Sequence, residues 1–406
     1  MSARPGRLAL AAAGLTLLLV AACSGLAWAG GAPLVPDDAG RAGERDGWSI
    51  AFLAALAGAF AAYGVALRLL VSNGASLRAV VALAAAIQLV PLAAPLLLST
   101  DAWTYWEYGA IANEGGNPYR DTPAEHPTNP AFEHAGADWR DTVSVYGPAF
   151  TLLSQLVAAL AGSSEHVAAW TFKTIAAASM LALTVLAARL ARNGAFAAAF
   201  VGWNPLLAIH FAGGGHNDAL MLALVLGALV LAATARPRGA AILWPLAILV
   251  KWIPVVFFAL RVLEAKRARR RVAHVAFAVT AAVAVGLATL LYGPHWLRAA
   301  GPLAANAEGQ SGYALPHRLE QLGLPHGLTL VLAAVVLAVG LVWLARRARR
   351  GEPALARAGC LMLVTTPWLV PWYAVWAVPL AAAEEDRKAQ IVALALCAYL
   401  LPQTIL

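Results

Sequence analysis

The stretch from Ser99 to Pro148 gathers residues that could carry chemistry in an otherwise apolar chain. It is the longest polar interval of the 406-residue sequence and holds eight of its 21 acidic residues. The first acid, Asp101, directly follows an apolar run, and Tyr105 lies four residues later on the same face of a predicted helix. A carboxylate at this boundary could take a proton from an incoming hydroxyl group. The pattern therefore predicts a site for polar chemistry beside the lipid.

Asp101 has a second interpretation, because Ser-Thr-Asp before a new helix is also a common N-terminal cap. The spacing alone does not separate a base from a cap. Trp103 and Trp106 suit an aromatic belt, so we expect a short helix that lies at the membrane interface. Asn117-Pro118-Tyr119, after two glycines, should end that helix and begin an extended segment.

A second polar cluster, Gly213 to Asp218, interrupts apolar runs further along the chain. Its three glycines permit close approach by a ligand, and His216, Asn217 and Asp218 follow them directly. The alternative is again a cap, because Asn or Asp after glycines often begins a helix.

The cations Lys251, Arg298 and Arg318 are the candidates for holding a phosphate. Lys251 lies inside an apolar run, where a charge is costly and points to function. Each arginine could equally be a solvated loop charge. His295, His317 and His326 lack a recognised zinc spacing, and we find no Walker loop, dinucleotide fingerprint or nucleophile elbow.

Composition indicates the class of protein. With 61% hydrophobic and only 12% charged residues, and a mean hydropathy of +0.69, the chain is predicted to be an all-α polytopic membrane protein. The net charge of +8 comes from short basic clusters between apolar runs, which is a topology signal and excludes nucleic acid as the expected partner. The three cysteines lie in apolar segments and suggest neither disulfides nor a thiolate metal site.

The apolar runs predict roughly ten to thirteen membrane helices in one domain, residues 1–406, with the N-terminus inside. Residues 8–28 are expected to be an uncleaved first helix, although they also resemble a signal peptide. The loops 30–47, 99–148 and 293–326 are predicted outside. The short run 149–161 is expected to be a re-entrant half-helix.

Two further runs are predicted to be irregular. Both ends of 240–263 look cytoplasmic, so we favour two short helices that meet near Lys251 over one continuous helix. The run 353–383 could be one kinked span or a hairpin.

Several of these motifs together resemble a known family, the polyprenol-phosphomannose-dependent α-1,6-mannosyltransferases of actinobacterial type, within the C-superfamily of integral-membrane glycosyltransferases. The similarity extends in order from about Leu98 to about Pro379. Lys251-Trp252-Ile253-Pro254 departs from the Lys-Pro pair of the family. The motifs are Asp101 with Tyr105, Gly116–Tyr119 (GNPY), Val145–Pro148 (VYGP), Trp203–Leu206 (WNPL), Gly215–Met221 (GHNDALM) and Pro371–Tyr373 (PWY).

The resemblance implies a polyprenyl-phosphate sugar as donor, with mannose as the expected sugar, and an inverting transfer to a glycan or glycolipid at the extracytoplasmic face of the plasma membrane. The family's loop base matches Asp101, and the donor phosphate is expected at Lys251, Arg298 and Arg318. No cofactor is required, although the acids of the loop leave room for a divalent cation. The residues expected to contact substrate are Tyr105, Asn117, Tyr119, Tyr146, His216, Asn217, Asp218, Trp372 and Tyr373.

A transporter or flippase of lipid-linked sugars is the rival hypothesis, since broken helices and intramembrane charges also mark transporters. Two features weigh against it: no inverted repeat is visible, and the polar groups collect on one face. Consumption of a lipid-linked sugar in detergent, where no gradient exists, separates the two.

Overall fold

The structure is a computed structural model that describes residues 5–30, 47–267, 273–299, 301 and 310–404. These residues form helices joined by turns and loops, and none of them is in a β-strand, which confirms the predicted all-α class. Most of the predicted loop 30–47, the basic residues 269–271 and residues 302–309 of the second loop lie outside the described residues.

The described helices follow one another along the chain as α1 (Pro5–Gly30), α2 (Gly47–Asn73), α3 (Leu77–Leu89), α4 (Asp101–Asn113), α5 (Pro148–Ala161), α6 (Glu165–Leu190), α7 (Gly194–Gly202), α8 (Pro205–Ala208), α9 (Asp218–Ala233), α10 (Pro237–Val250), α11 (Pro254–Arg267), α12 (His274–Tyr292), α13 (Leu315–Gln321), α14 (His326–Ala348), α15 (Leu355–Thr365), α16 (Val378–Glu384) and α17 (Arg387–Leu400). A π-helical turn, Ile209–Gly213, continues α8. Short 3₁₀ turns occupy Val90–Ala93, Pro123–Glu125, Ala137–Trp139, Gly293–Ala299, Pro371–Trp376 and Pro402–Thr404.

Among the described residues, five helices are long and apolar enough to cross a membrane: α1, α2, α6, α12 and α14. The pair α7 and α8 makes a sixth if it counts as one span bent by 52°. Several shorter apolar helices of 10–17 residues accompany them, so the predicted ten to thirteen spans are reached only if those also cross as partial spans. The protein is thus a multi-pass membrane protein in which short and broken helices accompany the long spans.

The long helices differ in how much of their surface is covered. In the most apolar 18-residue segment of α6, 50% of the residues are buried, because α6 packs against α4, α5, α7 and α9. In the corresponding segments of α12 and α14 only 11% are buried. Helices that are apolar on every side and uncovered by protein are suited to face lipid. The polar residues of the candidate site therefore lie around α6 and α9, inside the bundle.

The helix breaks predicted from proline and charge are confirmed. The chain leaves the helical conformation at Lys251, between α10 and α11, and Pro254 begins α11. The predicted short helix is α5, with 14 residues. The run 353–383 is divided into α15, the 3₁₀ turn Pro371–Trp376 and α16. Which side of the membrane each end faces stays a prediction.

The segment before Asp101 is not helical, and a buried lysine satisfies its backbone. Lys173, in α6, donates from Nζ to the carbonyl oxygens of Leu92, Ala94 and Pro95 at 3.2, 2.5 and 3.3 Å. Backbone oxygens in an apolar interior are costly when they lack a donor, so one ammonium group stabilises this whole turn. It thereby fixes the start of α4.

The expectation that Trp103 and Trp106 form an aromatic belt on α4 is wrong, whereas the position of α4 at the membrane interface stays a prediction. The helix exists where predicted, but the exposed fraction of Trp103 is 8% and that of Trp106 is 1%. Both tryptophans pack against His134, which belongs to the following loop. The 99–148 loop folds over its own first helix and covers it.

Candidate active site

Asp101 is the first residue of α4, and its carboxylate is held by two side chains rather than by the helix backbone. Oδ2 accepts a hydrogen bond from the hydroxyl of Tyr105 at 3.2 Å and lies 3.0 Å from Nδ1 of His216. Within the described residues Asp101 makes no capping bond to the backbone of α4, so the cap interpretation of this aspartate is wrong. Ser99 Oγ instead accepts from the Asp101 backbone N–H at 3.1 Å. An ionised carboxylate can only accept, which puts the shared proton on Nδ1 of His216.

The surroundings of Asp101 keep it ionised. Burial alone would raise the pKa of this carboxyl group, but the hydrogen bond and charge of His216, the charge of Lys251 and the hydrogen bond from Tyr105 outweigh burial. The net effect is a pKa below the usual aspartate value. The side chain of Asp101 is 14% exposed, whereas that of His216 is fully buried behind it.

A second ion pair joins the ends of two neighbouring helices. Lys251 Nζ lies 2.7 and 2.8 Å from the two carboxylate oxygens of Asp218, and the Asp218 side chain is fully buried. The indole Nε1 of Trp376 donates to Oδ1 of the same carboxylate at 2.7 Å. Asn217 begins α9 without a side-chain capping bond, so the cap interpretation of this cluster is not borne out either.

The aromatic turn Pro371–Trp376 covers both pairs. The Trp372 ring stacks on His216 with 3.7 Å between centroids and 11° between planes. The Tyr373 ring centroid lies 5.1 Å from Nζ of Lys251, within the range of a cation–π interaction. The two ion pairs and this turn form one continuous polar and aromatic cluster.

A cavity of about 490 Å³ opens in front of this cluster. Asp101 and Lys251 both line it, so a carboxylate and an ammonium group face the same space. Its walls come from the chain before α4, the 99–148 loop, the α10–α11 break and the segment 366–376. Such an arrangement can take a proton from one group and neutralise a negative charge that develops on another.

Comparison with known families gives two matches along the chain. Residues 8–267 match the model of the N-terminal domain of alpha-(1->6)-mannopyranosyltransferases, and residues 303–403 match the MptB C-terminal domain. The first match covers well over half of the chain. The chain belongs to the alpha-(1->6)-mannopyranosyltransferase family. The resemblance seen in its motifs is thereby confirmed at the level of the family.

Two relatives show the extent of the similarity. Alpha-(1->6)-mannopyranosyltransferase A of Mycobacterium tuberculosis is 29% identical over 344 residues, covering 74% of this chain and 65% of the relative. The enzyme of the same name from Corynebacterium glutamicum is 30% identical over 153 residues, covering 36% and 31%. The chain thus spans less than two thirds of the length of these relatives. No solved structure matches it.

The alpha-(1->6)-mannopyranosyltransferase fold brings together most of the site residues predicted from the sequence. Asp101, Tyr146, Lys251, Trp372 and Tyr373 line the cavity. Four more stand directly behind these: Tyr105 and His216 contact Asp101, while Asp218 and Asn217 contact Lys251, the latter at 3.5 Å.

Asn117 and Tyr119 brace the loop instead of lining the cavity. The amide of Asn117 donates to the carbonyl oxygen of Tyr292 at 2.7 Å, and its Oδ1 accepts from the backbone of Tyr119. The Tyr119 hydroxyl lies 3.0 Å from the carbonyl oxygen of Tyr146 and 2.6 Å from the Thr151 hydroxyl. The motif therefore ties the 99–148 loop to α5 and α12, and substrate contact by either residue stays a prediction.

Neither predicted arginine is among the described residues that line the cavity. Arg298 is exposed after α12. Arg318 donates to the Tyr399 hydroxyl at 3.0 Å and lies over the Tyr313 ring at 4.6 Å, because α13 packs beside the C-terminal helix. Phosphate binding by either arginine stays a prediction, and Lys251 is the predicted cation that the fold places at the cavity.

Three features of the site escaped the sequence analysis. Lys173 supports the turn before Asp101, and a lysine in the middle of an apolar run was the signal that could have identified it. Trp376 holds Asp218, and Asp138 is a second carboxylate at the cavity. In the described part of the chain, no three His, Cys, Asp or Glu side chains are grouped so that they could hold a metal ion.

Proposed function

We propose that this protein transfers mannose from a polyprenyl-phosphate donor to a glycan or glycolipid acceptor, with inversion at the anomeric carbon, at the extracytoplasmic face of the membrane. Family membership supports the sugar. The observation that carries the proposal is the common cavity of Asp101 and Lys251, because this transfer needs a proton acceptor and a cation in one enclosure.

In the proposed reaction the acceptor hydroxyl attacks the anomeric carbon and gives its proton to the free oxygen of Asp101. The bond between the anomeric carbon and the phosphate oxygen breaks, and the electron pair leaves with the polyprenyl phosphate. Lys251 stabilises the charge that develops on this phosphate. His216 and Tyr105 hold the Asp101 carboxylate in place through Oδ2, which leaves Oδ1 for the proton.

An enzyme that uses a lipid-linked donor also needs access from the bilayer. The cavity lies within a bundle whose outer helices α12 and α14 are mostly uncovered, so a prenyl chain could remain in lipid while its phosphate enters. A donor already activated by phosphate explains why the sequence contains no nucleotide-binding motif.

The decisive experiment is transfer from labelled polyprenyl-phosphate mannose to a mannoside acceptor by the purified protein in detergent. Asp101→Asn should lower the rate by on the order of 10² to 10⁴, the usual worth of a positioned proton acceptor. The fold should persist, because the amide oxygen can accept from His216 and no helix cap is lost.

Asp138→Asn is the matched control, since Asp138 is the other carboxylate lining the cavity and is exposed. It should retain nearly full activity. If Asp138→Asn loses transfer while Asp101→Asn keeps it, the base is Asp138. If the parent protein consumes no lipid-linked mannose in detergent but moves it between leaflets of vesicles, the protein is a flippase.

A further inference from the structure

Both oxygens of the Asp218 carboxylate are hydrogen-bonded, and they have two partner side chains, Lys251 and Trp376. The Asp218 side chain is completely buried, both oxygens lie within 2.8 Å of Lys251 Nζ, and Oδ1 also accepts from Trp376 Nε1. It is not among the described residues that line the cavity. Asp218 is therefore placed to act on Lys251 rather than on a substrate.

The ion pair is stabilised by the helices that carry it. Asp218 is the first residue of α9, and Lys251 directly follows the last residue of α10, which packs against α9. A carboxylate is favoured at a helix N-terminus and an ammonium group at a C-terminus, because of the helix dipole. Each member of the ion pair therefore lies at the helix end that favours its charge.

The pairing leaves part of the lysine free. An ammonium group has three donors, and two of them meet the Asp218 oxygens. The third has only the Asn217 oxygen at 3.5 Å, at the outer limit for a hydrogen bond. The Lys251 side chain remains 16% exposed and lines the cavity.

We propose that Asp218 is a positioning residue that holds the Lys251 ammonium group through two of its donors and directs the remaining donor toward the phosphate of the lipid-linked sugar. Trp376 fixes the orientation of the Asp218 carboxylate. The proposal rests on the proposed function, since it assigns a partner to the phosphate-binding group of the same site.

Polyprenyl monophosphate, the leaving group of the reaction, is the probe. Its inhibition constant should be measured for the parent and for Lys251→Met, Asp218→Asn and the double variant. We expect each single change to weaken inhibition on the order of 10- to 100-fold, the usual worth of a hydrogen bond to a charged group. The double variant should be no worse than Lys251→Met, because both residues act as a unit. The acceptor KM should not change.

Thermal stability separates positioning from a merely structural role. Each single variant leaves one buried charge unpaired and should melt at a lower temperature than the parent, whereas the neutral double variant should recover much of that loss. If the double variant still binds polyprenyl monophosphate weakly although its stability has recovered, the binding defect arises in the site and not from a loss of folding. Asp218→Glu, which keeps the charge, should bind the phosphate better than Asp218→Asn.

The two proposals fail in distinguishable ways. A parent protein that neither transfers mannose nor responds to polyprenyl phosphate ends the proposed function. A parent that does both, with Lys251→Met defective and Asp218→Asn equal to or tighter than the parent, overturns the positioning role. In that case Asp218 would compete with the phosphate for the lysine.

Discussion

Asp101 and Asp218 occupy equivalent places in their helices but do not face the same surroundings. Each is the first residue of a helix, and each is joined to a nitrogen-bearing side chain, His216 or Lys251. Asp101 is 14% exposed and lines the cavity, whereas Asp218 is fully buried and has three short contacts. The same residue type at the same helix position thus keeps one carboxylate oxygen for the cavity in one case and has both oxygens occupied in the other.

The two ion pairs differ in which of their members reaches the cavity. His216 is buried behind Asp101 and leaves one oxygen of that carboxylate toward the cavity. In the second pair it is the lysine that reaches the cavity and the carboxylate that is buried behind it. One pair presents a carboxylate oxygen to the cavity, and the other presents an ammonium group.

The largest further effect is expected for His216→Phe, which keeps the stack on Trp372 but removes the hydrogen bond to Asp101. Transfer should fall on the order of 10- to 100-fold, because a hydrogen bond to a charged group is lost. Burial is already the largest single influence on this carboxyl group, so without the opposing hydrogen bond and charge of His216 the pKa of Asp101 should rise. The decline of activity at acidic pH should therefore begin at a higher pH than in the parent, as a pH–rate profile would show.

If activity in His216→Phe declines at the same acidic pH as in the parent, the comparison of the two ion pairs fails. Such a result would mean that His216 does not control the ionisation of Asp101 and that the two pairs are not analogous. The matched measurement is Asp101→Asn, which should lose this pH dependence together with the activity.

Glu107 sharpens the comparison, because it is a third carboxylate in the same region and has no hydrogen-bond partner within the described residues. Burial, and secondarily the charge of Glu114, raise the pKa of Glu107 to about 8. The folded protein keeps this proton while the unfolded chain loses it near pH 4.5, so stability should fall as the pH rises between these values.

Glu107→Gln has no proton to lose and should be more stable than the parent above pH 8, by up to a few kcal/mol, yet similar near pH 5. Melting in detergent at both pH values tests this. The exposed Glu133→Gln serves as control and should show no such pH dependence. A constant difference between Glu107→Gln and parent at both pH values would contradict the prediction.

The smallest effect is expected for Tyr105→Phe. The ring packs edge-on against Tyr146, Phe150 and Phe172, and phenylalanine preserves those contacts. The 3.2 Å hydrogen bond to Asp101 and the hydroxyl interaction with Tyr146 are lost, so kcat should fall about two- to tenfold. A loss as large as that of Asp101→Asn would instead make Tyr105 a direct participant in proton transfer.

The sequence predicted those features that depend on local chemistry. A charge flanked by prolines predicted the break at Lys251, and the i, i+4 spacing predicted the contact of Asp101 with Tyr105. The family motifs predicted that residues far apart in the chain, such as His216 and Trp372, belong to one site.

Lateral contacts between helices were less accessible to prediction. Membrane helices such as α6 and α9 are apolar on several sides, so no amphipathic pattern tells which neighbour each residue meets. That arrangement of helices determines the partners of Lys173, the hydrogen bond from Arg318 to Tyr399 and the burial of Trp103 under its own loop.

The hydrogen bonds of Lys173 have a consequence for biogenesis. The carbonyl groups that they satisfy come about 80 residues earlier in the chain than the lysine itself. During synthesis these carbonyl groups enter the membrane before their donor exists, and an apolar environment offers no replacement. We therefore expect the turn that leads to Asp101 to reach its final form only after α6 has been inserted, so that completion of the proposed site is a late event in assembly.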